Sequence, residues 1–99
     1  SAMRDQARRV FQNIRLSLDA LGLTWRHVVK LTRYLTDMRE QDELNAVQRE
    51  ILGDHQVAST TVQVAALVVP EARVEIEALA VAPAGVAARA EAAGPGGAP

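Results

Sequence analysis

The chain has 99 residues, 48% of them hydrophobic and 3% aromatic, with eleven basic and twelve acidic side chains and no cysteine. That length makes one domain with a small core of aliphatic residues and alanine, for which self-association would help to bury apolar surface. Near-balanced charge excludes a global field that would gather nucleic acid or an anionic membrane, and the lack of cysteine excludes disulfides, thiol nucleophiles and thiolate metal sites.

No apolar run reaches the roughly 18 residues of a membrane helix, and none has the layout of a secretory signal, so a cytoplasmic home is expected. Ser1-Ala2 ahead of Met3 reads as a remnant of tag cleavage, which sets residues 1–3 apart. The first element is an amphipathic helix over about 4–21. Ala7, Val10, Phe11, Ile14, Leu18 and Leu21 form its apolar stripe, and Gly22 suits the left-handed position that ends it. Thr24 caps a single turn through Trp25 and Arg26.

VVKLTRYLT, residues 28–36, reads as a strand. Val29, Leu31 and Leu35 share one face, which Arg33 interrupts; Val28, Lys30, Thr32 and Tyr34 share the other. Asp37-Met38-Arg39-Glu40 is a capping-box pattern that opens a helix to about Leu52, with Leu44, Val47 and Ile51 inward and Gly53 at its end. Two alternating segments follow. Val62, Val64, Ala66 and Val68 alternate with Thr61, Gln63, Ala65 and Leu67; after Pro70-Glu71, Val74, Ile76, Ala78 and Ala80 alternate with Glu75, Glu77, Leu79 and Val81. Period two with a short connection predicts an antiparallel hairpin. Residues 83–99 are rich in Ala, Gly and Pro and read as a tail, in which the helix propensity of alanine predicts a short docked helix over about 85–93.

The order helix, strand, helix, strand, strand predicts an α+β layer in which 4–82 form the domain. A parallel crossover runs through the second helix, and two helices cover one face of the sheet. The other face is expected to be covered by another copy of the chain.

VVKLTRYLTDM, LNAVQREILG, ASTTVQVAAL and VEIEALAV, in this order, resemble the RidA/YjgF family, also called L-PSP endoribonuclease or translation initiation inhibitor. QARRVFQNIRLSLDALG matches the preceding helix in pattern and spacing, so the resemblance covers about residues 5–82. It implies a chorismate-mutase-like α+β fold in a homotrimer, with ligand clefts between subunits. It also implies hydrolysis of reactive enamines and imines to ketoacids and ammonia, with no metal or organic cofactor. The family domain opens with strands that help to line the cleft, whereas this sequence starts at the helix. Roughly a third of a domain of typical size is therefore absent, through a gene start placed downstream, a naturally short protein or a fragment.

By the same resemblance Glu75 falls on the glutamate that orients or activates water, Asn45 falls on an asparagine near the cleft, and Thr61 sits where a small polar residue lines it. The arginine that holds the substrate carboxylate is replaced by Ser59. A guanidinium grips a carboxylate bidentately and with charge, while a hydroxyl offers one neutral donor. The expected function is thus a RidA-like protein whose deaminase activity is lost or altered. The alternatives are a noncatalytic trimer that binds a small metabolite or a partner, and an endoribonuclease.

Bland readings stand beside these. Glu75 and Glu77 also fit a solvated or ion-paired strand face, Ser59 a strand start and Asn45 a helix surface. His27 and His55 lack ligand-like spacing, so no metal site is expected. Arg4, Arg8, Arg9 and Arg15 read as a solvated helix face, since nearby acids and scarce aromatics disfavour nucleic acid.

Overall fold

The computed structural model describes residues 1–85 and 87–94. Two helices, α1 (Ala2–Ala20) and α2 (Gln41–Leu52), pack on one face of a mixed four-stranded sheet. Its strands are β1 (Val28–Leu35), β2 (Ala58–Gln63), β3 (Val74–Val81) and β4 (Ala87–Ala93), in the order β2-β1-β3-β4. β2 runs parallel to β1; β3 is antiparallel to β1, and β4 to β3.

α1 forms because its apolar residues recur at helical spacing. Met3, Ala7, Val10, Phe11, Ile14 and Leu18 are all buried. The helix starts earlier than its apolar stripe suggests. Ser1 is its N-cap, accepting the Arg4 N–H and donating its hydroxyl to Glu43 on α2. Leu21, expected in the stripe, is exposed. It is the C-cap, and the chain turns there: Gly22 adopts φ +72, the Leu23 N–H reaches the Leu18 carbonyl, and the Gly22 N–H reaches Asp19. These paired bonds satisfy carbonyls that the helix end would leave open.

Thr24 caps the turn Trp25–His27 as expected, and the His27 ring completes the cap by accepting the Thr24 N–H at 3.0 Å. The chain then enters β1 through a bulge between Val28 and Lys30. One extra residue in a strand reverses the alternation of faces. Val28 therefore points into the core with Leu31, Arg33 and Leu35, and Val29 points out, the reverse of simple period two. His55 donates a ring N–H to the Val28 carbonyl at 2.9 Å and so satisfies backbone at the bulge.

Asp37 caps a 3₁₀ turn, Met38–Glu40, that leads into α2, and its carboxylate accepts the Arg39 N–H at 2.9 Å. The reciprocal half of the expected capping box is replaced: Glu40 pairs with Arg73 at 3.2 Å. Arg8 on α1 grips Glu50 on α2 through two hydrogen bonds of 3.2 and 3.1 Å.

Two of the expected elements also differ. The segments over 62–68 and 74–81 are not a hairpin. β2 ends at Gln63 and lies on the sheet edge beside β1, while β3 lies on the other side of β1. The two segments never meet because the crossover through α2 has already placed β2 in parallel with β1, so that parallel crossover is as anticipated. The expected helix over 85–93 is instead β4 from Ala87, with Val86 outside the described residues, as are 95–99. Alanine's helix propensity is a weak local preference. Pairing with β3 satisfies the backbone, and Ala90 and Ala92 bury their methyl groups on the side of α1.

Candidate functional site

The sheet has two unlike faces. The helix-covered face carries Val74, Ile76, Ala78 and Ala80, all buried. The other face has no covering element among the described residues. It presents Lys30, Thr32 and Tyr34 from β1, Glu75, Glu77, Leu79 and Val81 from β3, and Arg89 and Glu91 from β4. Leu79 and Val81 remain more than a third exposed there.

Glu75 lies opposite Tyr34 in the β1–β3 ladder and is half-buried. Burial, and then the charges of Glu91 and Glu77, push its carboxyl above the usual carboxylate range. Glu77 sits two residues on and behaves oppositely. It accepts the Tyr34 hydroxyl at 2.7 Å and pairs with Arg89, which also binds Glu91 at 2.6 Å. The Tyr34 hydrogen bond is the main cause that lowers the Glu77 carboxyl, and the same bond raises the Tyr34 phenol. Two glutamates of one strand face are thus driven apart by what they touch. A depression of about 190 Å³ beside them is lined by Lys30, Thr32, Glu77, Leu79 and Arg89.

Asn45 and Thr61 meet on the opposite, helix-covered side, and Arg33 joins them. Only 4% exposed, Arg33 donates through Nε and Nη2 to the Thr61 hydroxyl at 2.9 and 2.7 Å. Its Nη1 donates to Asn45 Oδ1 at 2.8 Å and to Gln48 Oε1 at 3.0 Å. Among the described residues no carboxylate pairs with this guanidinium, and burial pulls its pKa below the usual arginine range. Ser59 pairs with Leu31 in the parallel ladder, so it shares the face of Thr61 and Arg33, at the exposed start of β2. Asn45, Thr61 and Ser59 therefore gather on one side of the sheet, and Glu75 lies on the other.

Sequence reasoning gave no site role to Arg33, Tyr34, Arg89 or His55. Arg33 had left a signal, because a cation within an apolar strand face needs acceptors from elsewhere in the fold. Among the described residues no group of three His, Cys, Asp or Glu could hold a metal, and no helix is long and apolar enough to cross a membrane.

Two helices on one face of a mixed sheet with this strand order define a chorismate-mutase-like α+β fold. The family model described as Endoribonuclease L-PSP matches residues 1–82, and the chain belongs to that family, the RidA/YjgF proteins. A RutC family protein, PH0854, of Pyrococcus horikoshii is 37% identical over 65 residues, which cover 66% of this chain and 52% of that protein. Protein DfrA of Myxococcus xanthus is 41% identical over 62 residues, covering 63% of this chain and 47% of its own. TdcF of Escherichia coli, named as a candidate reactive intermediate deaminase, is 34% identical over 68 residues and is covered to 53%. The structure of TdcF with bound serine superposes with a TM-score of 0.76 at 31% identity, over 81% of this chain and 65% of that one. Yeast Mmf1 gives a TM-score of 0.77 at 30% identity, over 82% and 64%. The chain spans about half the length of these curated relatives.

Proposed function

We propose that this is a RidA-type domain whose uncovered sheet face packs against further copies of the chain, as a homotrimer or other homo-oligomer. The clefts between copies take a small imine, enamine or carbonyl compound. Glu75 activates or orients water there, while Asn45, Ser59 and Thr61 line the part that holds the substrate. With serine in place of the substrate-holding arginine, deamination is lost or altered.

The observation that carries this reading is Glu75 itself: a half-buried carboxylate, raised above its usual range, on a sheet face that no other element covers among the described residues. A carboxylate raised toward neutrality is a better proton acceptor at working pH. Water adds across the C=N bond as Glu75 relays its proton to nitrogen; Glu75 then passes the proton of the resulting hydroxyl to the amine as the C–N bond breaks, leaving a ketone and ammonia. Ser59 and Glu75 occupy opposite faces, so one substrate touching both needs two copies of the chain. Binding of serine by TdcF supports a cleft of small-molecule size.

Ser59 favours a second reading, a noncatalytic binder of small metabolites, since charge-assisted grip on a substrate carboxylate is missing at that position. Ammonia release from freshly generated 2-iminopropionate separates the two. The expected result is slow turnover by the wild type, none by Glu75→Gln and a gain in Ser59→Arg. No acceleration over buffer by either the wild type or Ser59→Arg would remove the deaminase reading and leave the binder.

A further inference from the structure

Arg33 is a buried cation whose described partners are three neutral oxygens. A guanidinium has five donors and no acceptor. Each partner must therefore turn an oxygen toward it. Asn45 and Gln48 present Oδ1 and Oε1 to Arg33, so their amide NH₂ groups point away. The Thr61 oxygen accepts both Nε and Nη2, which occupies its lone pairs and leaves its own proton to donate outward. Side chains that could each donate or accept are thus converted into donors.

Asn45 and Gln48 also line a depression of about 180 Å³, together with Arg49, His55, Gln56 and Val57. Its described lining includes a cation, Arg49, and no carboxylate. Ser59 is exposed on the same face as Thr61. A cavity of this size, fringed by outward donors over a buried positive charge, suits a small anion.

We propose that Arg33 is a positioning residue for a small carboxylate ligand, the 2-oxo or 2-imino acid class. It fixes Asn45, Gln48 and Thr61 as donors and supplies from β1 the positive charge that position 59 lacks. This rests on the family reading above and names the anchor for its substrate. The carboxylate sits against the amide groups of Asn45 and Gln48, with its carbonyl or imine carbon directed toward the open edge of β2.

The test compares pyruvate with pyruvamide, which has the same shape without the charge, in binding titrations followed by the side-chain amide signals of Asn45 and Gln48. The wild type should bind pyruvate in preference by about tenfold, the scale of one charge-assisted contact. Arg33→Met, with freed amides that can flip, should bring the preference near unity, and Arg33→Lys should keep most of it. Should Arg33→Met not fold, Arg33→Lys and the wild-type amide shifts decide. Pyruvate binding that leaves these amides unmoved, or an unchanged preference in Arg33→Met, would overturn the inference and leave the family reading standing. Absence of pyruvate binding by the wild type would also overturn it. In that case binding by Ser59→Arg would preserve the family reading, and failure of Ser59→Arg as well would end both.

Discussion

Ser59 and Glu75 stand on opposite faces of one sheet, each one strand away from β1. Ser59 pairs with Leu31, whose side chain is buried under the helices, and Glu75 pairs with Tyr34, which points to the uncovered face. A site that uses both residues is therefore a property of an assembly. On the homo-oligomer proposed above, replacing Leu79, on the same face as Glu77, with Asp should place a further negative charge there and separate the copies. Sedimentation should show a monomer, and any turnover by Ser59→Arg should disappear in the double variant. Retained turnover in a proven monomer would place the chemistry within one chain.

Glu75 makes a prediction about pH. Its folded pKa lies above its ordinary value because of burial first and neighbouring carboxylates second. The native state thus holds the proton more tightly than the unfolded state, and stability falls as pH rises from the ordinary value through the folded one. Glu75→Gln removes that penalty. It should melt higher than the wild type at pH 7, with the difference vanishing below about pH 4, where both states of the wild type are protonated.

Glu77 has the opposite sign. Its folded pKa is depressed, so its contribution is present above the ordinary carboxylate value and is lost as pH falls through the folded one. The hydrogen bond from Tyr34 is the largest single cause, and Arg89 adds both a hydrogen bond and its charge. Tyr34→Phe and Arg89→Ala should therefore each raise the Glu77 pKa, as read from carbon-detected NMR titration of the side-chain carboxyl. An unmoved Glu77 pKa in Tyr34→Phe would remove the hydroxyl as its main partner.

Phe11 is fully buried on α1 and meets Trp25 edge-on, with ring centroids 5.8 Å apart. Phe11→Ala should cost about 3–5 kcal/mol in urea unfolding. That is a large share of the roughly 5–15 kcal/mol typical of a small domain.

Gly94 follows β4 at a close approach to α1. A Cβ there would clash with Gln6 Oε1, the atom that accepts the Arg73 N–H at 2.8 Å just before β3. Gly94→Ala should displace Gln6 and lose about 1 kcal/mol. Faster hydrogen exchange at the Arg73 amide would locate the loss.

The sequence by itself determined what depends on near neighbours along the chain. The stripe from Ala7 to Leu18, the stop at Gly22, the cap at Thr24 and the alternation that turns Glu75 and Glu77 away from Val74 and Ile76 are all periodic or local signals. The ordered set of motifs was enough to reach the family. Only the tertiary structure decided the partners. β2 could not be assigned to the edge beside β1 from its own alternation, because alternation specifies faces and not neighbours. Ala87–Ala93 became a strand because β3 offered an open ladder on which Ala90 and Ala92 could be buried. Val28 and Val29 exchanged faces at a bulge that His55 completes from a distant turn. Arg33, an interruption when read along β1, acquired its meaning from Asn45, Gln48 and Thr61, which lie 12, 15 and 28 residues away. A buried charge is defined by its surroundings, and those are assembled only when the chain has folded.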